Sequence, residues 1–332
     1  MGGDHAPQAT VAGALQALAA DPQLRLLLVG ERTVVEAELR RAGASPSSRL
    51  EIRHAGEVIG YDEEPVQAFR RKRDSSIAVG LRLVRDGQAS AFVSAGSTGA
   101  LMAGSLFTFG RIQGVRRPAL VQVMPTLSGP GLVFLDMGAT VAAAAEDLVQ
   151  WALMGAIYAE TVLGRPAPRV ALLNVGTEAE KGPEEVKKAY QTLSRLRLNF
   201  IGNIEARELL SGAADVVVVD GFAGNIALKT VEGLARDLMR ALKRELGSSL
   251  RTKLGAWLAL PALRRLAARF DAQEAGGAPL LGVNGLCVKC HGNSTPRAIA
   301  AGLRVGAGAA RGRLVEAIAR RLAERESGET DE

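Results

Sequence analysis

The residues best suited to chemistry in this 332-residue chain are glycine loops, a few isolated cations and one histidine. Ser94-Ala95-Gly96-Ser97-Thr98-Gly99 sets hydroxyls and glycines ahead of an apolar, helix-like run. Backbone N–H groups and hydroxyls in such a loop could cradle a phosphate. The same residues would serve equally as a turn in which Ser97 or Thr98 caps the next helix. Lys181, in Thr177-Glu178-Ala179-Glu180-Lys181-Gly182-Pro183, could neutralise a phosphate or a developing oxyanion, or simply be a solvated lysine among acids. His291 and Lys289 flank the end of an apolar run, and a histidine there is suited to proton transfer near neutral pH. Only His5, His54 and His291 are available for that role, and His5 and His291 adjoin glycine-rich segments.

The elements that must position these residues read as alternating strands and helices. Arg25–Val29, Leu50–Arg53, Ala91–Ser94, Ala119–Met124, Leu132–Asp136, Val170–Asn174, Asn199–Gly202, Val216–Asp220 and Leu286–Lys289 have the short apolar runs of buried strands. Most are separated by helix-length segments. The pattern predicts an α/β fold: a doubly wound, mostly parallel mixed sheet in a Rossmann-like three-layer αβα arrangement, as one catalytic domain over 1–332. Ala119–Met124 and Leu132–Asp136 are too close for a crossover and predict a hairpin around Ser128-Gly129-Pro130. Glycine loops follow five of the strands, beginning at Ser94, Asp136, Asn174, Asp220 and Lys289. In open α/β sheets ligands bind beyond the carboxyl ends of the strands, so all five are expected on one edge, around an anion-binding cleft.

Residues 242–270 break this rhythm and predict a protruding helical insertion. Leu246, Leu250, Leu254 and Leu258 recur every four residues with Trp257 beside them, then Leu263, Leu266 and Phe270 follow Pro261. Lys253, Arg264, Arg265 and Arg269 are interleaved. Two amphipathic helices bent at Pro261 would offer apolar faces to an anionic membrane, to the core or to a second copy. Arg70-Arg71-Lys72-Arg73 is a solvated helix face or a docking patch for an acidic protein. Cys287 and Cys290 have C-x-x-C spacing but lie on an apparent strand, where residues three apart point to opposite faces; they read as core residues. Zinc would need two more ligands at matching spacing, so no metal is expected.

Composition fits this reading. Hydrophobic residues make up 47% and charged residues 23%, as in a globular protein. Two cysteines argue for a reducing compartment and hence the cytoplasm; the amino-terminal residues do not resemble a secretion signal. A net charge of +6 suits acidic partners, and no base-stacking basic strand points to nucleic acid.

Taken together, the segments resemble a known family. Met1-Gly2-Gly3-Asp4-His5-Ala6-Pro7 is similar to the opening signature of the bacterial acyl-ACP:phosphate acyltransferases. Glu57–Gly60, Glu64-Pro65, Arg71–Ser76, Val93–Ala100, Asp136–Ala139, Asp220–Asn225, Leu228–Thr230, Gly276–Gly282, Asn284-Gly285, Lys289 and His291-Gly292 continue the match in order. The family usually has a short strand ahead of the Gly-Gly-Asp-His motif, and at Thr140 it often has Asn. The resemblance implies acyl transfer from acyl-acyl-carrier protein to inorganic phosphate, giving acyl phosphate and free carrier protein for phospholipid synthesis. Phosphate is the direct nucleophile, and no cofactor is needed. It further implies that Lys181, His291 and Asn225 are catalytic, and that Asp4, His5, Ser97, Thr98, Gly99, Gly224 and Lys289 bind phosphate or substrate. Arg70, Arg71, Lys72 and Arg73 would dock the carrier; Leu250, Leu254, Trp257 and Leu258 would touch the membrane; the enzyme would be a peripheral homodimer. A related fold carries NAD-dependent decarboxylating dehydrogenases, which need paired acids for a divalent metal. After Phe200 the aspartates are Asp215, Asp220, Asp237, Asp271 and Asp331, and no two are four apart.

Overall fold

The computed structural model describes residues 1–129, 131–269 and 276–328. Its centre is an eight-stranded mixed sheet in the order β3-β10-β9-β4-β5-β8-β6-β7. The strands are β3 (Phe92–Ser94), β4 (Ala119–Met124), β5 (Leu132–Leu135), β6 (Val170–Asn174), β7 (Phe200–Glu205), β8 (Val216–Val218), β9 (Ala278–Leu281) and β10 (Cys287–Lys289). Side chains on the central strands alternate between two cores, as a period of two requires. Val133, Leu135, Val216 and Val218 face the helix α6 (Ala145–Thr161), whose Trp151 is fully buried. Phe134 and Val217 face the other way, with Leu228 of α8 (Gly221–Leu246) and Met102 and Leu106 of α5 (Thr98–Phe109). The result is the expected three-layer α/β arrangement.

The sheet is mixed and mostly parallel as expected, but its strands do not all end on one side. β9 was not foreseen, because Pro279 sits inside it and proline rarely occupies an interior strand. It pairs antiparallel with both β10 and β4, and β4 pairs antiparallel with β5. β3 and β10 therefore run one way while β5, β8, β6 and β7 run the other. The five glycine loops do not share one edge: those after β3 and β10 leave one side of the sheet, and those after β5, β6 and β8 leave the opposite side. The β4–β5 hairpin forms as expected; its Pro130 lies outside the described residues.

A separate parallel pair, β1 (Leu26–Gly30) and β2 (Leu50–His54), packs with α1 (Gln8–Ala20) and α2 (Arg32–Arg41). Between β1 and β3 runs a groove of about 560 Å³, lined by Leu26, Val29, Phe92 and Ala95 and floored by Leu303 and Gly306. Among the described residues β1 pairs only with β2 and β3 only with β10, so each leaves one backbone edge without a partner strand beside the groove. The Met1 amino group reaches in to donate to the Val29 carbonyl at 3.1 Å, and burial lowers its pKa to about 6. Backbone groups facing such a gap are satisfied best by another strand. Adding a short strand-forming segment ahead of Met1 is expected to raise Tm by at least ~3 °C; equal melting temperatures for the two forms would show that the gap does not accept a strand.

The helical protrusion is not divided into two helices at Pro261. α8 runs unbroken to Leu246, and Gly247 ends it by donating its N–H to the carbonyls of Lys243 and Arg244. Ser249 Oγ then accepts from Thr252 N at 3.1 Å and starts α9 (Leu250–Arg269), which carries Pro261 inside it. The break thus lies at a glycine–serine cap rather than at the proline. Leu234 and Leu238 of α8, and Leu250, Leu254, Trp257 and Leu258 of α9, are exposed, so these faces do not pack on the core. Phe270 and the tail 329–332 lie outside the described residues, as do the side chains of 267–269 and 326–328.

Candidate functional site

The two edges carry two groups of residues. The first gathers where β3 and β10 end side by side, with Cys290 N donating to the Ser94 carbonyl at 2.8 Å. Ser97 caps α5, and its side chain accepts from Ala100 N at 3.4 Å. The N–H groups of Thr98 and Gly99 lie in the first turn of that helix, where no preceding helical carbonyl exists to accept them. Ser97 is therefore a cap, and the exposed Thr98 follows it, with the Thr98 and Gly99 amides left without a helical acceptor. Gly99 is needed for packing as well, since a Cβ there would come within 2.6 Å of Pro65 at the start of α3 (Pro65–Arg71).

The amino-terminal motif closes over this group. Asp4 N donates to the Gly292 carbonyl at 2.7 Å, and a Cβ on Gly3 would meet the same carbonyl at 2.9 Å. Asp4 thus stands beside the loop carrying His291, while the neighbouring His5 is exposed and its side chain has no partner among the described residues. Tyr61 crosses the same corner and donates its hydroxyl to the Ala95 carbonyl at 2.6 Å. Lys289 is largely enclosed and donates to the Cys290 carbonyl. Its burial lowers its pKa, against the raising effect of Cys290 and Asp4. Cys287 and Cys290 are buried core residues as expected, and burial raises their thiols to about 12 and about 11, too high for thiolate chemistry at neutral pH.

His291 keeps 49% of its side chain exposed, and its Nε2 lies 3.7 Å from Glu232 Oε1. Burial of the remainder lowers its pKa; Lys229 and Lys289 act the same way, and Glu232 opposes them. Glu232 also accepts from Lys229 Nζ at 3.0 Å. Neither Lys229 nor Glu232 was singled out in the sequence as a site residue. Their signal is spacing: Asn225, Lys229 and Glu232 stand at i, i+4 and i+7 and share one stripe of α8.

The second group surrounds the start of α8. Asp136 is fully buried, and its carboxylate accepts from the N–H groups of Leu120, Ala139 and Thr140 at 2.9, 3.1 and 2.7 Å. Burial raises its pKa and these bonds oppose the rise, so it serves as a clamp on the loop after β5. Gly221 N donates to the Thr140 carbonyl at 2.9 Å, tying that loop to α8. Gly224 is not an anion donor as proposed from the sequence. Its N–H bonds to the Asp220 carbonyl at 2.9 Å, and a Cβ there would fall 1.9 Å from the Asp136 carbonyl, so this glycine allows close packing. Asn225 is exposed, and its side chain lies within contact distance of a Cβ placed on Gly138. Lys181 is exposed on the loop after β6, on this same edge; its backbone carbonyl is held by Asn174 Nδ2 at 2.9 Å, and its ammonium has no partner among the described residues.

The structure therefore brings Asp4, Ser97, Thr98, Gly99, Lys289 and His291 together and leaves Lys181 and Asn225 at the other edge. The two groups remain within reach of one extended substrate. Asn225 and Glu232 are seven residues apart, about 10 Å along a helix axis. Of the basic run, Arg71 and Lys72 pair with Glu63 at 3.2 and 2.6 Å, and Arg70 lies 4.8 Å from the Phe107 ring centre.

Comparisons with known proteins agree on this architecture. The model of the family described as "Fatty acid synthesis protein" matches residues 1–316. A phosphate acyltransferase of Heliobacterium modesticaldum is 52% identical over 305 residues, covering 92% of this chain and 90% of that protein. One of Moorella thermoacetica is 49% identical, covering 96% and 93%. Among solved structures, a phosphotransacetylase from Streptococcus pyogenes superposes with a TM-score of 0.64 at 20% identity, covering 92% of each chain. A branched-chain phosphotransacylase from Enterococcus faecalis gives 0.59 at 14%, covering 93% and 96%. These two show a shared fold.

Proposed function

The chain belongs to the bacterial phosphate acyltransferase family and is an enzyme of that kind, and from that premise we propose that it moves an acyl group from acyl-acyl-carrier protein to inorganic phosphate. The observation that carries this reading is the group at the ends of β3 and β10. It joins the amides of Thr98 and Gly99, the cations Lys289 and Lys229, and a histidine kept neutral near pH 7. That set binds a dianion and can move one proton.

The reaction needs no more. A hydrogenphosphate oxygen attacks the thioester carbonyl carbon, the C–O bond forms, the tetrahedral oxyanion collapses and the C–S bond breaks. The proton carried by hydrogenphosphate passes to His291 and from there to the departing sulfur, which becomes the free carrier thiol. A thiol of this type has a pKa near 8.5, so it leaves with modest acid help. Amide and lysine donors hold the phosphate and offset the charge that grows on the carbonyl oxygen. Asn225, one turn before Lys229 and at the other edge, offers its side-chain amide to the part of the acyl-carrier substrate that spans the two groups, and Lys181 adds positive charge at that end. Asp4 and His5 shape the wall opposite.

Arg70 and Arg73, with Arg71 and Lys72 beside them, form the surface for the acidic carrier. The exposed leucines of α8 and α9 support a peripheral homodimer whose hairpins meet an anionic membrane. The test is release of free carrier protein from acyl-carrier thioester. Release that requires phosphate supports the proposal, and release that ignores phosphate ends it. In the same assay Lys181→Ala is expected to raise the phosphate KM or lower kcat at least tenfold, about 1.4 kcal/mol of lost transition-state stabilisation. Near wild-type kinetics would remove Lys181 from the cleft.

A further inference from the structure

The geometry points to Glu232 as a positioning residue that sets the tautomer and proton affinity of His291 while holding Lys229 beside it; this rests on the acyl-transfer reading above. One carboxylate serves an ammonium and an imidazole. Oε2 accepts from Lys229 Nζ at 3.0 Å, and Oε1 faces His291 Nε2 at 3.7 Å. The second distance is that of an ion pair rather than a hydrogen bond, and a small side-chain rotation closes it.

A carboxylate facing Nε2 favours a proton on that nitrogen. In the neutral ring the lone pair then lies on Nδ1, which becomes the atom that accepts the phosphate proton. Orientation of an imidazole by a carboxylate is a general device for fixing which nitrogen is basic. Glu232 suits it because only 18% of its side chain is exposed, so water screens the pair less than on an open surface.

The surrounding charges define what Glu232 must offset. On α8 there is Lys229; on β10 there is Lys289; from the amino-terminal loop Asp4 stands beside Gly292, and Tyr61 closes the corner. Two cations favour the neutral ring, as does burial. Without Glu232 the ring would hold a proton too weakly to carry it from phosphate to sulfur. Glu232 opposes that lowering and so keeps the ring a better proton acceptor than burial and the two lysines alone would leave it.

The test is Glu232→Gln, which keeps size and removes charge. Turnover at pH 7.5 is expected to fall about tenfold, and the acid limb of kcat/KM to move to lower pH by at least ~0.5 unit. The phosphate KM is expected not to rise, because Lys229 remains charged. Glu232→Asp should recover part of the rate. A second readout does not depend on activity: the full chain has three histidines, so NMR titration of labelled histidine, with His291→Gln used for assignment, follows the ring directly. Its midpoint should drop in Glu232→Gln. An unmoved midpoint and unmoved acid limb would overturn the role of Glu232. Absence of phosphate-dependent transfer in the wild type, with the NMR shift present, would instead strike the acyl-transfer reading.

Discussion

Replacing His291 with alanine is expected to lower kcat at least about a hundredfold while leaving the fold intact. General acid–base catalysis contributes roughly 10²–10⁴-fold in rate, and the proposed reaction has one proton to move. The imidazole is half exposed and follows the last strand rather than forming part of it, so its loss opens no cavity in the core. The pH profile carries the sign. Burial, Lys229 and Lys289 hold the His291 pKa below the ordinary histidine value. The ring is therefore neutral and able to accept a proton at pH 7, and becomes protonated only as pH falls. Wild-type activity should decline on the acid side through that titration, and His291→Ala should lose that limb along with its rate. Steady-state kinetics from pH 5 to 8, with a melting curve of each protein, checks both. A variant that unfolds would assign His291 to structure; one that turns over at the wild-type rate would take it out of the proton path.

The sequence carried most of the strands, because central runs such as Val216–Val218 and Val133–Leu135 are continuously apolar and flanked by glycine loops. It did not carry the side of the sheet on which each one ends. β9, disguised by Pro279, pairs antiparallel on both sides and so leaves β10 and β4 running the same way. The reversal comes at the β4–β5 hairpin, which the sequence predicts but whose consequence for the loops depends on β10 lying beyond β4 in the sheet. A cleft imagined on one edge therefore becomes two groups linked by α8. The same helix explains why Glu232 stayed unread. A glutamate four residues before a basic position or three after one resembles an ordinary solvated pair, and only the arrival of His291 from a strand some sixty residues later gives it a task. Gly224 shows the converse: glycine after a strand suggested an anion-binding amide, yet its lack of a side chain serves contact with Asp136. Local spacing reveals which residues can act; which of them meet depends on strand sense, and that is a property of pairings far apart in the chain.

Trp257→Glu combined with Leu254→Glu is expected to abolish sedimentation with anionic vesicles while acyl transfer in solution survives. The proposed product, an acyl phosphate, carries a long apolar chain, so an enzyme that releases it at a bilayer surface spares it a passage through water. α9 has the required face: Leu250, Leu254, Trp257 and Leu258 are 85, 61, 69 and 68% exposed. Burial of a large apolar side chain is worth about 1.5–3 kcal/mol. Trading two of them for carboxylates removes that term and adds repulsion from the lipid. Lys253, Arg264 and Arg265 are exposed on the same helix and supply attraction to anionic headgroups, so binding should also weaken as salt rises. The substitutions lie far along the hairpin from His291 and Glu232, and α9 packs against α8, which is why catalysis should persist. Packing of these faces on the core is already excluded by their exposure, and the remaining competitor is a second copy of the chain. Light scattering decides between them. Loss of a dimer in the double variant would assign the face to subunit contact, and vesicle binding that survives the change would place the membrane contact elsewhere on the molecule.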